Sequence, residues 1–187
     1  MTLPVTPSQT VGPFFGLALT SDGSSRLVSE DHPDAIVISG TLYDGAGKGV
    51  PEGMLEIWQA NREGRYLHPE DNREDVGLDH GFGGFGRCHT DDEGRYQFLT
   101  IKPGPVPAPG GGMQAPHLNV AIYGAGLLKP VRTRIYFSDE GEANAADPVL
   151  SSIDQERRAL LVARLERGQA VLDLRLQGES ETPFLNA

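Results

Sequence analysis

The run Ala35-Ile36-Val37-Ile38-Ser39-Gly40-Thr41-Leu42-Tyr43 is apolar and β-branched and stops at an Asp44-Gly45 pair. A β-branched run closed by Asp-Gly is a strand ending in a turn. The same grammar recurs along the chain. Met54, Glu56, Trp58 and Ala60 alternate with Leu55 and Ile57, and Tyr96 and Phe98 alternate after the turn Asp91-Asp92-Glu93-Gly94. Residues 117–123, 131–137 and 170–176 supply three more alternating runs. Side chains at i and i+2 share one face of a strand, so each run buries one face and leaves the other for solvent or a site. Only residues 155–167, with Leu160, Leu161, Ala163 and Leu165 among charges, read as a helix. Residues 104–112 form a Pro/Gly loop. The pattern predicts a mainly β chain, a sandwich of two mostly antiparallel sheets with one short C-terminal helix.

At 187 residues the chain suits a single core. Its 24 glycines and 14 prolines favour many turns over long helices. A net charge of −10 argues against a nucleic-acid or anionic membrane surface, which needs clustered Lys and Arg. No run of about 18 apolar residues occurs that could span a bilayer. The single cysteine, Cys88, leaves no intrachain disulfide, and the cytoplasm is the expected location. Residues 1–34 read as an arm and linker ahead of one domain over residues 35–187. Within the arm, Phe14 and Phe15 are aromatics that a free tail has little use for.

Five short motifs follow one another in register. They are Trp58-Gln59-Ala60-Asn61, Gly64-Arg65-Tyr66, Phe85-Gly86-Arg87, Ile101-Lys102-Pro103-Gly104-Pro105 and Pro116-His117. With the strand grammar, which is similar to that of transthyretin-like sandwiches, the series resembles the intradiol ring-cleaving dioxygenases over nearly the whole chain. In that family two tyrosines and two histidines hold a ferric ion; hard phenolates suit Fe(III), and imidazoles complete the set.

Carried over residue by residue, the resemblance maps the first tyrosine to Tyr66 and the second to Val106. The His-x-His pair falls on His117 and Asn119, and the arginine just upstream falls on Gln114. Two ligands and the arginine are replaced, so the resemblance implies a degenerate site with no metal ligand set and no catalytic residue of this chain alone.

One branch of the family, acting on protocatechuate and O₂, is built from a homologous iron-binding β chain and an α chain with such a site. This sequence resembles the α chain. The resemblance implies Fe(III) on the β chain, cleavage to 3-carboxy-cis,cis-muconate, and assembly of several αβ units. It also implies that Thr10, Gly12, Pro13 and Phe14 of the arm help to wall the partner's substrate pocket. An α-chain arginine that receives the substrate carboxylate is matched by Ala125, which leaves Arg132, Arg134 or Lys129 for that contact. Two other readings stay open at this point: a self-sufficient intradiol dioxygenase for another catechol, and a non-enzymatic transthyretin-like binding module.

Overall fold

The computed structural model describes residues 12, 18–124 and 126–185. Eleven strands dominate it: β1 (Ala35–Tyr43), β2 (Met54–Trp58), β3 (Phe85–His89), β4 (Arg95–Ile101), β5 (Val106–Pro107), β6 (Met113–Gln114), β7 (His117–Tyr123), β8 (Val131–Phe137), β9 (Val162–Glu166), β10 (Gln169–Val171) and β11 (Leu174–Arg175). The expected mainly β architecture holds, and the alternating runs 117–123 and 131–137 are single strands, whereas the run 170–176 is broken at Leu172 and Asp173 into β10 and β11. The loop expected over residues 104–112 carries a two-residue ladder instead, with Val106 opposite Gln114.

One half of the structure pairs β4 with β1 antiparallel, while β10 and β11 lie parallel to β1. The other runs β8-β7-β2-β3, all antiparallel. β9 joins them, antiparallel to β10 on one side and parallel to β8 on the other. The two layers are therefore one nearly closed sheet. Between them lie Ile38, Leu42 and Phe98 from one half and Leu55, Ile57, Leu118, Ile122 and Ile135 from the other, all at most 1% exposed. Burying each such side chain contributes about 1.5–3 kcal/mol.

Residues 24–27 lie along the opening that remains. The Arg87 amide of β3 donates to Ser24 O and the Ser24 hydroxyl returns to Arg87 O, both at 2.9 Å. The Leu27 amide donates to Leu99 O of β4 at 2.8 Å, and the Leu99 amide donates to Ser25 O at 2.9 Å.

The run 155–167 differs from its expected helix. Helix persists only over Gln155–Arg158, followed by a 3-10 turn at Ala159–Leu161, and the rest is β9. Leu161, Ala163 and Leu165 also satisfy a period of two, and Ala163 is fully buried against the core. The strand reading wins because β8 and β10 each offer β9 a ladder. Arg167 and Gly168, both at positive φ, then turn the chain tightly into β10. Two further short helices, Gly141–Ala146 and Pro148–Ser151, follow β8.

Candidate functional site

Two loops meet at the motifs read from the sequence. The Asn61 side chain accepts from the Glu63 and Arg65 amides at 3.0 and 2.9 Å and donates to Gly77 O at 2.9 Å. This folds residues 61–65 into a tight turn. At its apex Gly64 has φ +85°, and a Cβ there would stand 1.9 Å from Pro105 O. A Cβ on Gly104 would stand 2.4 Å from Arg62 O. Only glycines allow this close backbone approach, so the Gly-Arg-Tyr and Lys-Pro-Gly-Pro motifs are the two halves of one loop-loop contact that carries Tyr66 toward Val106.

Beyond the turn, the Tyr66 amide donates to Asp71 Oδ2 at 2.8 Å, and Arg73 grips the same carboxylate at 2.8 and 2.7 Å. Arg73 also donates to Gly64 O at 2.6 Å. Hydrogen bonding from Arg73 holds the Asp71 carboxyl down at about 2. This clamp was not legible in the sequence, where Asp71 and Arg73 sit among several loop charges.

All five residues of the expected degenerate site line one cavity of ≈ 910 Å³: Tyr66, Val106, Gln114, His117 and Asn119. The strand register brings three lining residues side by side, because Asn119 of β7 pairs with Trp58 of β2 on one side and Arg134 of β8 on the other. The Tyr66 ring stacks on Trp58 with centroids 5.6 Å apart. Asn119 Nδ2 donates to Tyr66 Oη and to Trp58 O, each at 3.3 Å. Burial pushes the Tyr66 phenol up from its ordinary value.

Arg134 sits at the centre of this polar face. Its Nε donates to Asn119 Oδ1 at 3.2 Å, and Nη1 donates to Gln114 Oε1 at 2.7 Å and to Tyr136 Oη at 3.3 Å. Gln114 in turn donates to Pro107 O at 2.8 Å. Tyr136 donates to Asp147 Oδ1 at 3.1 Å, and the same oxygen accepts from the Leu150 amide at 2.8 Å. Asp147 Oδ2 accepts from the Ala115 amide at 2.8 Å. Asp147 and Tyr136 were missed from sequence. An Asp followed by Pro148 is a helix-start signature that could have marked Asp147, which caps Pro148–Ser151.

His117, 3% exposed, points its Nδ1 at Ala115 O at 2.7 Å. A carbonyl accepts only from an N–H, so Nδ1 is protonated and Nε2 is left as a lone pair. Burial, reinforced by the nearby Arg134 charge, holds this imidazole down at about 4.

The donor set does not suit a ferric ion. Tyr66 and His117 are the two matched ligands. An amide stands at Asn119 and an alkyl group at Val106, and the Arg134 guanidinium places a fixed positive charge among them. Two donors beside a cation neither fix a coordination geometry nor offset Fe(III) charge. Among the described residues, no group of three or more His, Cys, Asp or Glu side chains is placed to hold a metal ion.

Thr10, Pro13 and Phe14 lie outside the described residues. Gly12 is described, with φ +77°. Of the cations raised for a carboxylate contact, Lys129 and Arg132 are exposed. Arg132 borders a second cavity of ≈ 430 Å³ with Glu56 and Tyr123, and Arg134 lies between the two cavities. Cys88 is buried, and burial pushes its thiol up, as suits an inert residue. No helix among the described residues is long and apolar enough to cross a membrane.

Comparison with known proteins agrees with this geometry. Residues 11–178 match the family described as Dioxygenase, and the chain belongs to the intradiol dioxygenase family. Among its curated relatives, the protocatechuate 3,4-dioxygenase alpha chain of Pseudomonas putida is 39% identical over 201 residues, covering 98% of this chain and 97% of that one. The protocatechuate 3,4-dioxygenase beta chain of Burkholderia cepacia is 34% identical, covering 97% of this chain and 79% of that one. The dioxygenase domain of a carbohydrate-binding fusion protein from Streptomyces sp. SirexAA-E shares the fold, with a TM-score of 0.60 at 24% identity over 92% of this chain and 98% of that one. The resemblance read from the motifs thus holds for the family and for its alpha chains.

Proposed function

We propose that the chain is the α subunit of a two-chain intradiol dioxygenase that cleaves protocatechuate with O₂ to 3-carboxy-cis,cis-muconate. In this reading a homologous β chain holds Fe(III), and the iron supplies the chemistry of ring cleavage there. The arm within residues 1–34 walls the substrate pocket through Thr10, Gly12, Pro13 and Phe14. Lys129 or Arg132, both exposed, takes the substrate carboxylate, since Arg134 is engaged in this chain's own cavity. The observation that carries the proposal is the conjunction of near full-length identity to an alpha chain with an incomplete donor set around Tyr66 and His117. The same conjunction disfavours a self-sufficient enzyme for another catechol. A plain binding module has no use for the Gly64–Gly104 loop contact that brings the ligand positions together.

The test is to produce the chain alone and together with a β homologue that keeps both tyrosines and both histidines. Iron content, colour and protocatechuate-dependent O₂ uptake are then compared. The chain alone should be colourless, lack stoichiometric iron and show no turnover, whereas the pair should be coloured and active. An iron-replete, purple-red and active single chain would sink the proposal.

A further inference from the structure

The cavities of ≈ 430 and ≈ 910 Å³ are the two ends of one trough on the outward face of the sheet. Both are lined by Trp58, Phe85, Asn119 and Arg134, which stand side by side across β3, β2, β7 and β8. The next row along the same strands is Arg87, Glu56, Ala121 and Arg132. Ala121 is the short side chain of that row, so the floor of the smaller cavity drops between Glu56 and Arg132. Phe85, beside Trp58, is 48% exposed.

Other exposed apolar residues gather around the trough. The Leu19 carbonyl accepts from Arg87 at 2.8 Å, and Leu67 lies between Tyr66 and His68, whose rings both meet Trp58. Met113 pairs with Pro107 of the trough wall, and Leu128 belongs to the hairpin that joins β7 to β8. Each of the four is at least 38% exposed, and among the described residues only Val171 of β10 is a comparably exposed large hydrophobic away from the trough. Apolar exposure gathered on one face marks a surface that meets another molecule.

The charges decide what fits there. Glu56 is consumed by Arg87 at 2.8 and 2.5 Å, Asp71 is consumed by Arg73, and Arg134 is engaged by Asn119, Gln114 and Tyr136. That leaves Arg132 exposed at one end of the trough and Glu70 exposed at the other, neither in an ion pair among the described residues. The trough is therefore self-complementary. A two-fold axis lying across its middle sets each copy's Arg132 against the other's Glu70 and brings the two Trp58–Phe85 pairs together, as an isologous interface requires. The net charge of −10 opposes such pairing at long range. Salt at about 0.15 M screens that repulsion beyond about 8 Å and leaves the contact pairs in place. We infer that the chain pairs with a second copy of itself through this trough, with Trp58 and Phe85 at the centre and Arg132 and Glu70 at the rims. The inference goes beyond the proposed subunit role and does not rest on it.

Sedimentation equilibrium of the full chain, without any other protein, tests this. The parent should dimerise with a dissociation constant at or below about 100 μM in about 0.15 M salt. Arg132→Glu and Glu70→Arg, each alone, set like charges together at both rims and should weaken the dimer at least about tenfold. A one-to-one mixture of the two variants restores an opposite-charge contact at both rims of the mixed pair and should recover the parent's affinity. Trp58 is the sole tryptophan, so its emission should shift to the red as the parent is diluted through the transition. A parent that stays monomeric overturns the inference, whether its trough is bare or covered by its own residues 1–17. So does a single variant that dimerises as tightly as the parent, or a mixture that stays monomeric although both variants keep the parent's melting transition. Emission from Trp58 that is independent of parent concentration overturns it even if neither variant folds.

Discussion

Strands β7 and β8 present two faces that obey different rules. On one, Leu118, Val120, Ile122, Ile135 and Phe137 are at most 2% exposed and pack into the apolar core. On the other, two residues of the same ladder, Asn119 and Arg134, face each other in register and join Gln114, Tyr136 and Asp147 in a hydrogen-bonded chain. The core face is held by area removed from water, which is non-directional and tolerant of exchange among similar shapes. The other face is held by direction, so each member depends on its neighbours' orientation. Fold and cavity wall on the same two strands therefore rest on different physics, burial on one side and directed hydrogen bonds on the other.

Three substitutions sharpen the contrast, in order of expected effect. Phe98→Ala, in the fully buried centre, should cost about 3–5 kcal/mol in urea unfolding, because the cavity it leaves is lined by strands that cannot collapse. A loss below about 1 kcal/mol would show that the core is looser than its burial implies. Asp147→Ala comes next, at about 2–3 kcal/mol. It removes a helix cap and leaves the Ala115 amide and Tyr136 hydroxyl buried without acceptors. If the cost were negligible, the polar face would be decoration on a sheet that the core alone stabilises.

The smallest effect is a pH dependence at His117. Its folded value of about 4 lies below the ordinary 6.5, so between those values the unfolded chain binds the extra proton. Its contribution to stability is therefore complete above about pH 6.5 and is lost as pH falls toward 4. His117→Gln should flatten that limb of the stability profile. An imidazole that NMR finds fully protonated at pH 6 would contradict the buried geometry.

The core face was the legible one. Alternation in β1, β2, β4, β7 and β8 follows from a period that sequence displays directly, and the Asp44-Gly45 turn announced itself. Residues 155–167 misled because Leu161, Ala163 and Leu165 fit two periods among helix-favouring charges, and only the neighbouring strands decide between them. At the site, Tyr66, Val106, Gln114, His117 and Asn119 were named through the family's motif order, and they share one cavity. Arg134 was named for a different contact. The Asp71–Arg73 clamp lies within one loop, but its hold on the Tyr66 amide and Gly64 O exists only once that loop folds back, and the Tyr136–Asp147 relay is completed by the Ala115 amide from another part of the chain; no local spacing encodes either. Gly64 and Gly104 stood in the motifs, but their reason, two backbones too close for a Cβ, exists only in three dimensions.

The strip at residues 24–27 carries one more consequence. A nearly closed sheet still has two bare rows of backbone donors and acceptors, along β3 and β4, and such rows recruit strands from other molecules. Ser24, Ser25 and Leu27 occupy both rows at once, bonding Arg87 on one side and Leu99 on the other. The stretch just ahead of the sandwich thus acts as a guard against self-association, and a fragment begun at Ala35 would give up solubility before it gave up its core.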